Sequence, residues 1–462
     1  MMFILRGKYI RRLWMLNFSD KTIIGTTSFG TSGGSALTNI LEEFDCVAPL
    51  KGGATFECKF FSSVFFQLET ALKNQLYVNA AVKEFLYQVK LAAQNRSYIE
   101  NFGHDNFTKL SYEYINSVAD YFLGGIYSER DYALIDSSEQ QQFGKLNLVY
   151  NALNKSAYSL YEPYNWCPSC QPLTKQYFGT FDDDFYKKTQ EYTSKLFAPI
   201  FGKQNYVVID ALFRPESVIH ELNYFKNAKC TIVDRDPRDH YVMNKVYWGE
   251  PYLPTWSVDT YIKWFKTYRS CNKRNSEHST QILQLRFEDL IYNYEASLEK
   301  IKKFFNLPDA AHTKKGQVFI PEKSKTNTQL FRKYPQYARD IEKIEKELSE
   351  FCYPYSETQI RHFSVEETKS AEKGPIEDIR KTIYIFQKTG KLPFSNIKGA
   401  FMFMRLFEEI RTFKNRRGIK SYVKGIIKIG IAMLFFPIGF IRSLIRLKRY
   451  QKKNKNKIIE FK

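Results

Sequence analysis

Two short runs of this 462-residue chain carry residue types that can hold phosphate. The first is Phe29-Gly30-Thr31-Ser32-Gly33-Gly34-Ser35, which runs into a helix pattern from Ala36 to Phe44. Glycines let backbone N–H groups turn toward one point, and the helix that follows aims the positive end of its dipole at the same place. A phosphate or phosphosulfate suits that point, with the Thr31–Ala36 backbone and the Ser32 and Ser35 hydroxyls as donors. No Gly-Lys-Ser/Thr follows, so the run is not a Walker loop, which counts against ATP or GTP. The second run is Asp234-Arg235-Asp236-Pro237-Arg238-Asp239, at the end of an apolar strand. Ligands of open α/β sheets bind outside the carboxyl ends of strands, and an arginine there can fork onto a phosphate. Both runs have plain alternatives. The first can be a Gly/Ser turn that caps a helix, and the second a loop whose aspartates neutralise both arginines.

The elements that would position these runs follow from periodicity. Residues 22–25, 206–210, 230–234 and 282–286 are short apolar runs that suit buried strands. Helical patterns separate them, notably 294–305 and 341–351, and residues from about 67 to 200 look mostly helical with frequent Tyr and Phe. Strands that alternate with helices imply an α/β fold with a mainly parallel sheet covered on both faces. Asp210, at the end of the second strand, is a candidate base; its alternative is a loop or helix cap. The charged, polar stretch 356–375 is expected to bound this domain.

Composition limits the classes. With 44% hydrophobic residues the chain can bury a large core without disulfides or a structural metal. Lys and Arg total 69 against 49 Asp and Glu, a net charge of +20. Of that excess, +15 lies in residues 398–462, which hold 18 basic and 3 acidic side chains. The body is therefore not a basic nucleic-acid binder, and no nucleic-acid partner is expected. In the tail, Ile429–Ile441 is thirteen uncharged, mostly apolar residues broken by Pro437, short of the roughly 20 needed to cross a bilayer. Apolar residues flanked by cations suit an interfacial or re-entrant anchor on an anionic membrane surface, with a buried helix or a nucleic-acid tail as alternatives. The N-terminal segment 1–20 is basic and has no apolar run long enough for a signal peptide, so a cytoplasmic chain, peripheral to the inner membrane face, is expected. Seven irregularly spaced cysteines argue for a reducing compartment. Cys167-Pro168-Ser169-Cys170 reads as a loop with two thiols rather than a redox or zinc site, and the six histidines show no metal spacing. His240 is expected to be a helix-surface or packing residue rather than a base.

The two runs, in this order, resemble the phosphosulfate loop and the 3′-phosphate motif of the sulfotransferase family. Arg286-Phe287-Glu288-Asp289-Leu290 and the helix after it resemble further elements of that family. The resemblance implies a P-loop-like three-layer fold over residues 21–355, with a helical insertion at 67–200, a linker at 356–397 and the basic C-terminal tail. It also implies 3′-phosphoadenosine-5′-phosphosulfate (PAPS) as donor, with PAP as product and no metal. Carried over position by position, Arg235 matches the 3′-phosphate arginine, and Ser32, Gly33, Gly34 and Ser35 match the phosphosulfate loop, with Thr31 and Ala36 at its two ends as further binding candidates. Two departures stand out. Thr31 replaces the family's loop cation, and Met243 replaces a serine, for which Asn244 is the nearest substitute.

Phe56-Glu57-Cys58-Lys59-Phe60-Phe61 resembles the Lys-Glu-x-x-Phe-Phe element of glycosaminoglycan sulfotransferases. That resemblance makes Glu57 the base for the acceptor hydroxyl and Lys59 a stand-in for the missing cation; alternation on an exposed strand is the plain alternative. Lys325, in Pro321–Asn327, falls where the family places a basic lid. Glu288 and Asp289 are expected to brace the fold. The function expected is a membrane-peripheral sulfotransferase that acts on a saccharide of a cell-surface glycan. The competing expectations are a non-catalytic relative that binds nucleotide or a partner, and a P-loop phosphotransferase or nucleotide-dependent glycosyltransferase, which would lack both the Walker lysine and an Asp-x-Asp metal motif before a strand.

Overall fold

The computed structural model describes residues 21–51, 60–125 and 173–370, with Lys145, Leu148 and Val149 between the last two. Glu57, Lys59, the Cys167–Cys170 loop, the N-terminal segment 1–20 and the tail 398–462 lie outside the described residues. Seven strands are described: β1 (Thr22–Ser28), β2 (Val47–Pro49), β3 (Asp120–Gly125), β4 (Leu173–Phe178), β5 (Tyr206–Asp210), β6 (Ala228–Asp234) and β7 (Ile282–Arg286). Five form one sheet in the order β2-β5-β1-β6-β7, every pairing parallel. This is the α/β architecture with a central parallel sheet that the alternating strand and helix patterns imply.

Period-two alternation explains why both faces of the sheet are covered. Ile23, Val207, Ile209, Cys230 and Ile232 point into one core, and Ile24, Val208, Val233 and Leu285 into the other. The second core is closed by α1 (Gly34–Leu41) through Leu37, Ile40 and Leu41, at helical spacing. Leu298, Ile301 and Phe305 of the helix Tyr294–Phe305 close the same core. That helix carries Lys302 and Lys303 in its last turn and stops at Asn306 in the left-handed region, both favourable at a C-terminus.

The first core is covered by the insertion, built from α2 (Phe60–Asn74), α3 (Val78–Ala92), α4 (Arg96–Phe102), α5 (His104–Val118) and α6 (Phe185–Phe201). Its aromatic content goes into packing. Phe65, Phe85, Tyr114 and Tyr192 are buried in mutual ring contact, and Tyr114 stacks on Tyr192 at 4.9 Å. Buried phenol groups need partners, and these find Thr189 and Ser111 at 2.8 and 2.7 Å. Buried Glu69 of α2 receives hydrogen bonds from Lys73, Tyr186 and Tyr224 and pairs with His220. Burial alone would raise its pKa, but these bonds outweigh burial and hold the carboxyl below its usual range. The insertion is not wholly helical. β3 and β4 form a separate antiparallel pair, with Asp120 opposite Phe178 and Gly125 opposite Leu173.

Contacts divide the chain into two compact units. The larger comprises residues 1–240, 262–330 and 341–362, and so includes the sheet and extends past residue 356. Among the described residues the smaller comprises 241–261, 331–340 and 363–370. Within it the Asn244 amide accepts from Glu250 N–H at 2.9 Å and donates to Thr255 Oγ1 at 3.2 Å, so it ties down its own loop. Among the described residues, no helix is long and apolar enough to cross a membrane.

Candidate functional site

β1 lies at the centre of the sheet, so the turn that leaves it is held between the ends of β5 and β6. Three residues of that turn take positive φ: Gly30 at 74°, Thr31 at 47° and Gly33 at 102°. Successive left-handed residues draw N–H groups into a concavity that favours anions. Thr31 is β-branched, and this conformation costs it on the order of 1–3 kcal/mol. Its Oγ1 is buried with no hydrogen-bond partner among the described residues. α1 then starts with no side-chain cap and no acidic residue of its own in the first turn, and the carboxyl group near that end is Asp210, through Ser35 and Thr38.

Two stitches fix the turn. The Ser32 hydroxyl, expected as a ligand donor, instead accepts from Phe29 N–H at 3.0 Å and donates to Val233 O of β6 at 2.8 Å. His240 is buried, as a packing residue should be, and its Nε2–H donates to Gly30 O at 2.7 Å. Burial first, then the nearby Arg269 charge, pushes its pKa down to about 3, so the ring is neutral near neutral pH. Arg269 itself is sandwiched between the rings of Phe29 at 4.3 Å and Phe265 at 3.4 Å, and forks onto Asp234 at 2.8–3.2 Å. That pairing outweighs burial and holds Asp234 below the usual carboxylate range.

The second run divides into two fates. Arg238 is neutralised, with its Nε and Nη2 on Asp236 at 2.6–3.2 Å and its Nη1 on Glu345 at 2.6 Å. The salt-bridged alternative therefore describes Arg238. Arg235 differs: it is 3% exposed and has no carboxylate partner among the described residues. Its guanidinium lies 4.8 Å over the Phe287 ring and its Nη2 donates to Asn327 O, while its Nε is buried with no partner among the described residues. Phe287 is also the neighbour of the first run, because a Cβ on Gly33 would fall 2.4 Å from that ring. One aromatic side chain thus abuts both segments, which lie 200 residues apart in sequence.

Asp210 closes the opposite side of α1. Its Oδ1 accepts from Thr26 at 3.0 Å and Thr38 at 3.4 Å, and its Oδ2 from Ser35 at 3.4 Å. The Ala36 N–H is turned back onto Gly33 O at 3.0 Å, and Gly34 abuts Ser28. Lys325 ends the short helix Pro321–Lys325, with Nζ 3.8 Å from Glu322 and 5.9 Å over the Tyr292 ring. Asn244 belongs to the smaller unit, where its amide is engaged as described. Among the described residues, no group of three or more His, Cys, Asp or Glu could hold a metal ion.

The chain matches no family model and no curated protein. Among solved structures it is similar to a sulfotransferase of Mycobacterium tuberculosis, at 12% identity and a TM-score of 0.26, over 71% of this chain and 84% of that one.

Behind the second run lies a buried acid. Glu288 Oε1 accepts from Asp236 N–H at 2.9 Å, so it shapes the turn next to Arg235. Burial first, with the Asp236 charge adding and Arg286 opposing, pushes its pKa up to about 7 from 4.5. Between those values the folded chain keeps a proton that the unfolded chain has released. The Glu288 contribution is therefore full below the unfolded value and is lost as pH rises through about 7. His240 works in the opposite sense, its contribution being lost as pH falls below 6.5 toward about 3. Glu288→Gln should therefore gain stability relative to the native chain between about pH 5 and pH 8, by up to roughly 3 kcal/mol. Urea unfolding across that range checks this, and a constant difference between the two proteins would contradict it.

Proposed function

We propose that the chain is a sulfotransferase that takes its sulfuryl group from PAPS and acts on a hydroxyl or amine of a saccharide. The observation that carries this is Arg235, a buried cation without a carboxylate partner among the described residues, beside a phosphate-type loop. A buried cation that makes no ion pair is costly, even with the Glu288 carboxyl in its field, so the site suits an anion. The residues present fit a doubly phosphorylated adenosine. Arg235 Nε and the Thr31 hydroxyl would be donors to it, and Gly33 lets the loop lie close against Phe287, beside Arg235.

When bound, PAPS supplies the sulfuryl group, and an acceptor oxygen or nitrogen forms its bond to sulfur as the bond to the phosphate breaks. The protein's part is to hold and to move a proton. The N–H groups of residues 31–35 hold the phosphosulfate end and Arg235 the 3′-phosphate. Glu57 takes the acceptor proton, with Lys59 steadying charge on the leaving phosphate where Thr31 offers no cation. Asp210, fixed by the hydroxyls of Thr26, Thr38 and Ser35, is the second candidate base. The basic tail from residue 398 would bring the enzyme to an anionic membrane surface where glycans are assembled.

Thr31 and Met243 favour one competing reading, a relative that binds nucleotide without turning it over. PAP separates the possibilities. At 100 times its Kd it should add about 3 kcal/mol of stability, read as a rise of a few degrees in Tm, and AMP, without the 3′-phosphate, should add less. An unshifted Tm would remove PAPS from consideration. Transfer assays on Glu57→Gln and Asp210→Asn then decide the base: it is the one whose variant binds PAP but no longer turns over, and retained turnover in both excludes both.

A further inference from the structure

The segment 325–329 is gripped from two sides by two arginines. Arg235 Nη2 donates to Asn327 O, while Arg361 Nη1 donates to Lys325 O at 2.9 Å, Thr326 O at 3.1 Å and Thr328 O at 2.6 Å. These three carbonyls lie at and just past the end of the helix Pro321–Lys325, where main-chain acceptors lack helical donors and a cation is favoured. The grip is reinforced around Gln329, which is fully buried. Its Oε1 accepts from Arg361 N–H at 2.9 Å and its Nε2 donates to Gln359 O at 2.7 Å. Its own N–H donates to Asp239 at 2.5 Å, and Tyr355 OH reaches the same carboxylate at 3.3 Å. A capping box between Ser356 and Gln359 shapes the turn that delivers Arg361. Residues 355–361 therefore form a strap across the segment whose carbonyl touches Arg235.

We propose that Arg361 is a positioning residue for the nucleotide: through residues 325–328 it holds the Asn327 carbonyl against Arg235 and so sets the orientation in which Arg235 meets a phosphate. This rests on the assignment of Arg235 as a phosphate ligand. Arg361 has no direct role with the ligand in this scheme. Lysine is an imperfect replacement: its ammonium has donors for the three carbonyls that Arg361 Nη1 serves, but on a flexible stem without the planar guanidinium that fixes their direction.

The test uses the full chain, native and as Arg361→Gln and Arg361→Lys, with three readouts: Tm without ligand, the rate of tryptic cleavage after Lys323 and Lys325, and PAP affinity by calorimetry. Arg361→Gln is expected to be cut about tenfold faster and to bind PAP about tenfold more weakly while its Tm stays within a few degrees, and Arg361→Lys should fall between. Faster cutting with unchanged PAP affinity would reduce Arg361 to a brace and overturn the proposal, as would unchanged cutting. If Arg361→Gln does not fold, Arg361→Lys decides by the same criteria. A native chain that ignores PAP overturns the nucleotide assignment and this role with it, and the cleavage rates still report whether Arg361 holds the segment.

Discussion

Arg235→Ala is expected to abolish the PAP-induced rise in Tm and to weaken PAP binding by about 10²–10³-fold, as loss of a buried charge partner does. The same change should leave the Tm of the ligand-free protein nearly unaltered. Arg235 has no carboxylate partner among the described residues, and it bonds to the protein through Asn327 O and the Phe287 ring face. Its removal therefore breaks no ion pair, though it takes away a charge that favours the ionised form of buried Glu288. Most core substitutions weaken folding and binding together, so the separation of the two is the informative outcome. Arg235→Lys should retain part of the affinity, because a point charge still attracts phosphate but loses the fork and the flat stacking on Phe287. Calorimetry with PAP and thermal unfolding without it give both numbers. Equal affinity in Arg235→Ala and the native chain would place the phosphate elsewhere.

Gly33→Ala is expected to do the reverse, damaging fold and binding alike. At φ 102° an added Cβ is strained whatever surrounds it, and here it would meet the Phe287 ring at 2.4 Å. Backbone strain of about 1–3 kcal/mol and overpacking of similar size act together, so a loss of about 2–6 kcal/mol in urea unfolding is expected. Relief would require either the loop or Phe287 to move, and each carries one of the two proposed ligand contacts. PAP binding should fall below detection for that reason. Trimming Phe287 as well would remove the clash but not the φ strain, and it would take away the surface under Arg235. A stable Gly33→Ala protein that still binds PAP would show that the ligand does not depend on this turn.

Much of this arrangement was legible because it is local. Four strands of the sheet are short apolar runs whose neighbours in sequence are also their structural context, and 206–210 and 282–286 coincide with β5 and β7. β2 is three residues long and offers no period to detect. β3 and β4 are too far apart in sequence for a hairpin signal, and their pairing depends on the fold around them. The helix expected from Ala36 begins at Gly34, because Gly33, at positive φ, is where the turn gives way to helix.

At the site, sequence marked the two arms but not what joins them. Motif matching treated Ser32 as a donor to ligand, yet which hydroxyl of a Gly/Ser turn faces inward depends on the left-handed residues around it. The fate of Arg235 and Arg238 could not be told apart by spacing, since both sit among aspartates. Glu345, which takes part in neutralising Arg238, lies more than a hundred residues away. Arg269 and Arg361 belong to no motif, and the acceptors that position Arg235 and Arg361 are main-chain carbonyls, which carry no side-chain signature. Glu57 and Lys59 rest on their resemblance alone, as they fall outside the described residues.

The loop's two stitches, Ser32 to Val233 O and a neutral His240 to Gly30 O, involve no ion pair. Added salt screens attraction between charges and leaves bonds of this kind almost untouched. Raising ionic strength should thus thin out capture of a polyanion at a distance while the turn after β1 keeps its shape. A site built this way would change in appetite with its ionic surroundings, but not in grip geometry.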